Sequence, residues 1–78
     1  MGKVARTRAI ENISAALLNV YRMHQPEDPE LLEKQHEILS AFKAQFQADG
    51  KSRTTINDYL SCGVVKALET YKKELKGK

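Results

Sequence analysis

The chain has no tryptophan, one cysteine, two prolines and four glycines among its 78 residues, and aromatic residues make up only 6%. Each scarcity excludes something. A single thiol, Cys62, cannot close an internal disulfide, and no His or Cys accompanies it at metal-ligand spacing. A reducing, cytoplasmic setting is therefore the expectation, with interchain pairing left open. The few aromatics are not interleaved with Lys and Arg, and no Gly-rich phosphate loop is present, so the usual marks of nucleic-acid binding are missing. No segment approaches the roughly 20 consecutive apolar residues that span a bilayer. The charged start, Met1 to Arg8, is followed by no apolar run of signal-peptide length.

What is present is an ordinary globular composition, 41% hydrophobic and 29% charged, with a net charge of +3. A chain of this length makes one small domain with little stability to spare, so self-association or a partner is expected and a large buried active site is not. Both prolines fall in one junction, Pro26-Glu27-Asp28-Pro29-Glu30. Asp28 can accept from the first free N–H groups of a helix, Pro29 suits the first helical position, and Glu30 favours the positive helix end. A helix starts here.

Before the junction, Ile10, Ile13, Leu17, Val20 and Tyr21 recur at three- and four-residue steps, the mark of an amphipathic helix. Arg6 and Arg8 stand where the helix dipole disfavours cations, so residues 1–5 read as a flexible basic arm. After the junction, Leu32, Leu39, Phe42 and Phe46 form a second stripe that Asp49-Gly50 stops. Ser52 or Thr54 can cap a third helix bearing Ile56, Tyr59, Leu60, Val64, Leu68, Tyr71 and Leu75, with residues 76–78 as a frayed tail. Gly63 inside it costs roughly 1 kcal/mol relative to alanine; close approach of a neighbouring helix is the expected compensation, with a kink as the alternative. Short connections favour antiparallel neighbours. The prediction is an all-α, up-down-up antiparallel three-helix bundle in one domain, with helices over about 5–24, 29–48 and 53–75, open to completion by self-association. Ile13, Leu17, Leu39, Phe42, Leu60, Val64 and Leu68 are the expected core-forming residues.

Charge is segregated along the chain. Residues 1–25 carry Lys3, Arg6, Arg8 and Arg22 against Glu11; residues 26–50 carry six acids against Lys34 and Lys43; residues 51–78 carry seven cations against Asp58, Glu69 and Glu74. The acidic middle helix is thus expected between two basic neighbours, with charge complementarity inside the bundle as its plain meaning. Its functional meaning would be a basic surface for nucleic acid, anionic lipid or an acidic protein, with Lys66, Lys72, Lys73 and Lys76 as partner-binding candidates.

The remaining polar groups suggest no catalysis, metal or cofactor. His24 and His36 lack a second His or Cys one turn away and read as boundary or surface residues. Cys62 has no basic neighbour in the sequence and reads as a small apolar side chain. Glu33 and Glu37 read as a solvated acidic face. Thr54, Thr55 and Asn57 could meet phosphates at a helix start, but capping explains them as well.

Ile38-Leu39, Phe42 and Phe46, a polar turn through Gly50, and Ile56-Asn57 opening the next helix form a pattern that resembles the immunity proteins of class IIa bacteriocins, of the enterocin A and leucocin A type. The resemblance covers about half of the chain. It implies a cytosolic antiparallel four-helix bundle, against the three helices read here. It also implies protection of the producing cell by stoichiometric blocking of the bacteriocin's complex with a membrane sugar-transport receptor. That family has no catalytic residue to carry over. A non-enzymatic interaction protein of this kind is the leading expectation. A small phage- or plasmid-type regulator binding DNA or transcription machinery and a self-associating helical assembly module are the alternatives.

Overall fold

The computed structural model describes residues 2–25 and 27–77, with side chains from residue 5 onward. Met1, Pro26 and Lys78, which the sequence pattern assigns to the arm, the junction and the tail, lie outside the described residues, as does the side chain of Lys3. Three helices are present: α1 over Gly2–Met23, α2 over Pro29–Ala48 and α3 over Arg53–Lys76. Residues 2–5 of the expected arm are therefore helical. Arg6, poorly placed for the helix dipole, has its charge met by Asp58 of α3.

The local signals act as their chemistry requires. Asp28 caps α2, its Oδ1 accepting from the N–H of Glu30 at 2.9 Å, with Pro29 in the first turn. At the other end Gly50 takes φ +80°, a left-handed conformation that costs a glycine little. The N–H of Lys51 then reaches the carbonyl of Phe46 and that of Gly50 the carbonyl of Gln47, each at 3.0 Å. This pair of bonds is a Schellman closure, and it satisfies carbonyls that the helix end would leave free. Of the two capping candidates for α3, Ser52 is the one used: its Oγ accepts from Thr55 N–H at 3.2 Å and donates to Thr55 Oγ1 at 2.9 Å.

Direction follows from which residues meet. Arg6 pairs with Asp58, Arg22 with Glu74 and Lys66 with Glu11, so α1 and α3 run parallel. Tyr21 donates to Gln35 Oε1 at 2.7 Å, while Ala5 and Ala9 share a groove with Phe42 and Phe46, so α2 runs antiparallel to both. The bundle is up-down-up.

The centre is α1, whereas the charge pattern predicts α2 there. The most extensive packing joins α1 to α3, and the least joins α2 to α3. Gly63 is the reason. A Cβ placed on it would lie 2.7 Å from Ile13 Cβ and collide with Ile13 Cγ2, so only glycine allows α3 this close to α1. Ile13 and Leu17 are fully buried in consequence, each worth roughly 1.5–3 kcal/mol of transfer free energy. Aromatic contacts join the helices: Tyr21 lies against Tyr71 at 6.0 Å and Phe46 meets Tyr59 edge-on at 5.4 Å, while Phe42 lies against Phe46 at 6.1 Å within α2. Leu39, Phe42, Leu60 and Val64 pack half-buried around this core. Leu68, expected in the core, is instead exposed because it lies where α2 and α3 part.

Replacing Gly63 by alanine adds about 1 kcal/mol of helix propensity, but it forces two backbones apart, an overpacking that typically costs 1–3 kcal/mol. Overpacking should win, because Ile13 Cβ cannot swing aside as a flexible side-chain tip would. Gly63→Ala is expected to lower unfolding stability by about 1–2 kcal/mol in urea titrations. A gain near 1 kcal/mol would mean that the seam has room.

Candidate interaction surfaces

Lys66, Lys72, Lys73 and Lys76 are all exposed on α3. Lys66 pairs across to Glu11 at 3.8 Å, on the edge facing α1.

The expected complementarity between α2 and its neighbours does not form. Every ion pair between helices among the described residues joins α1 to α3, using the few acids of those basic helices. Arg6 Nε lies 2.9 Å from Asp58 Oδ2; Arg22 binds Glu74 through Nη2 and, at 2.9 Å, through Nε. The Arg6 guanidinium holds the Asp58 carboxyl below the ordinary carboxylate value. On α2 itself the described ion pair is local, Lys34 to Glu37 at 3.7 Å.

Cys62 also departs from expectation. It is half-buried, Arg6 Nη2 donates to its Sγ at 3.4 Å, and its Sγ lies 3.5 Å from Asp58 Oδ1. The basic neighbour missing from the local sequence arrives from a helix 56 residues away. A carboxylate and a guanidinium face the thiol together, so their charges oppose one another there.

His24, at the end of α1, lies with Nδ1 3.1 Å from Asp28 Oδ2. Glu30 adds a third ligand-type group, and the three offer atoms within 4.8 Å of one another. The spacing of His and Cys in the sequence does not reveal this cluster, since its acids come from across the turn. Two contacts already account for its geometry: Asp28 accepts from the Glu30 N–H as the cap of α2, and it meets His24 through its second oxygen.

The most developed surface lies at the opposite end, where the start of α1 meets the end of α2 and the start of α3. A groove of about 560 Å³ has Ala5, Ala9, Phe42 and Phe46 as its apolar floor, with Arg8 and Lys51 on its rim. Around the corner, a polar cleft of about 390 Å³ is lined by Lys43, Gln47, Lys51, Arg53 and Asn57. Lys51 belongs to both. Arg8, Lys43, Lys51 and Arg53 thus surround one end of the bundle, and none has an ion partner among the described residues. The sequence hides this cluster, because its members lie on three helices and a turn and come together only through the up-down-up connection.

Comparison of the chain with family models, curated proteins and solved structures gives no significant match.

The Asp28 carboxyl is held below its ordinary value near 3.8, first by the Glu30 N–H and then by His24. Its charged form therefore favours the folded state. That contribution is complete above the ordinary value and disappears as pH falls through the lowered one. Asp28→Asn keeps a capping oxygen but removes the charge. The drop in urea midpoint between pH 7 and about pH 2.5 should be smaller in the variant than in the parent chain. Equal drops would mean that this carboxylate does not contribute to acid sensitivity.

Proposed function

We propose that this chain is a non-enzymatic interaction protein that acts by stoichiometric binding. In this reading it takes an amphipathic, acidic helical segment of a partner protein in the groove between α1 and α2. The observation that carries the proposal is the groove's composition: alanines and phenylalanines on the floor, where an apolar helix face can lie, and Arg8 and Lys51 on the rim. Helix-in-groove recognition uses this division, with apolar anchors for affinity and rim charges for orientation and encounter. The small side chains of Ala5 and Ala9 leave room for a backbone to come close.

The resemblance of α2 and α3 to class IIa bacteriocin immunity proteins suggests the partner: the bacteriocin's complex with its sugar-transport receptor, met from the cytoplasmic side. No part of this mechanism requires catalysis or a cofactor. Expression in a strain sensitive to class IIa bacteriocins should protect it against at least one peptide of a panel. Arg8→Glu/Lys51→Glu should reduce that protection roughly tenfold while leaving helicity intact. Absence of protection across the panel would remove the immunity assignment, and protection indifferent to the two reversals would remove the groove.

A second reading, a small regulator that binds duplex DNA, draws support from the cleft that joins Lys43, Lys51 and Arg53. Three phosphate contacts would give a salt slope of about −2.7 in log K against log salt. No mobility shift even at low salt would dispose of it. Arg6, Arg22 and Lys66 contribute less to this reading than their number suggests, since each is engaged by a carboxylate.

A further inference from the structure

The face between α2 and α3 is left open by the fold and exposes large apolar side chains from both helices. Leu32 on α2 is 68% exposed; Leu68 and Leu75 on α3 are 42% and 56% exposed. On α3 positions 64, 68, 71 and 75 follow helical spacing along one edge, and on α2 positions 32 and 39 do the same. Leu32 and Leu68 stand together at the mouth of a cleft of about 270 Å³ that Leu31 and Tyr71 also line. Isolated surface leucines need no explanation, but this row lies along the weakest helix contact of the bundle.

The accessible surface of the whole chain gives a measure of what is uncovered. It is 5760 Å². A compact monomer of 8.8 kDa is expected to expose about 4,800 Å². The excess over the whole flattened molecule is about 1,000 Å², and a stable protein–protein interface takes roughly 800 Å² from each partner.

Charge indicates what fits there. Glu33 is the acid next to Leu32, Lys72 is one turn beyond Leu68, and neither has an ion partner among the described residues. A second copy, turned about a two-fold axis parallel to the helices, lays α2 of each chain over α3 of the other. That arrangement sets Leu32 opposite the partner's Leu68 and brings opposite charges to the rims. A two-fold axis across the helices would instead set α2 on α2, acid against acid. We propose that this chain is a symmetric homodimer through the α2–α3 face, with α2 of one copy packed antiparallel on α3 of the other.

Sedimentation equilibrium of the full chain from about 1 to 500 μM should give twice the chain mass at the upper concentrations. Leu32→Asp/Leu68→Asp should be monomeric throughout with unchanged helicity by circular dichroism. A monomer at every concentration, or a double variant that stays dimeric, overturns the proposal. If the double variant loses its helicity, crosslinking decides. Leu32→Cys and Leu68→Cys chains, each also carrying Cys62→Ser, should on mixing form a 32-to-68 interchain disulfide in preference to either self-linked product. Equal yields of the three products, or none of the mixed one, would equally overturn it.

Discussion

The close approach of α1 and α3 at Gly63 is the constraint on which the rest of the structure depends. With no side chain at that point, Ile13 lies directly on the α3 backbone, and the two parallel helices become a single ridge. Parallel neighbours in a short chain need an intervening element to return the chain, and α2 is that element. It is attached by its two capped ends and by a few aromatic contacts, and it shares little surface with α3. Ile13 and Leu17, the two largest fully buried side chains, both belong to α1. The central position of α1 therefore follows from one missing methyl group on α3.

That seam also decides where charge goes. Two helices of the same net sign are in closest contact, which ought to be unfavourable, yet the contact edge selects the exceptions. Asp58, Glu74 and Glu11 are acids of the basic helices, and each meets a cation across the seam. Net charge summed over a segment averages around the helix, whereas packing exposes only one edge of it. The acids of α2 consequently stay in solvent, and the cations at the far end of the bundle stay unneutralised. Exposed pairs of this kind add little to stability. Their effect is to leave the outer surface more polarised than complementarity within the bundle would.

Features set by neighbours in sequence were legible from it. Asp28-Pro29, Asp49-Gly50 and Ser52 each act within a few residues, so the bounds of α2 and the start of α3 follow from local hydrogen bonding alone. The need of Gly63 for a close neighbour was legible too, since a helix-interior glycine costs free energy that something must offset. That the neighbour is Ile13 was not, because it depends on the relative rotation of two helices. The same limit explains Cys62, whose guanidinium neighbour lies on α1, and the gathering of Arg8, Lys43, Lys51 and Arg53, drawn from three helices and a turn.

The two proposed surfaces constrain one another. A two-fold axis parallel to the helices would put the cationic ends of both copies at the same end of the dimer, because symmetry about such an axis preserves height along it. Each copy would then bring Arg8, Lys43, Lys51 and Arg53, and their mutual repulsion would oppose assembly at low ionic strength. An acidic partner in the grooves would relieve that repulsion. By linkage, whatever partner binding adds to dimer stability, dimerisation must return as affinity for the partner. A bivalent acidic target would gain further, since its second contact would be intramolecular. A domain whose own core is small would in this way bind more firmly when paired and pair more firmly when bound.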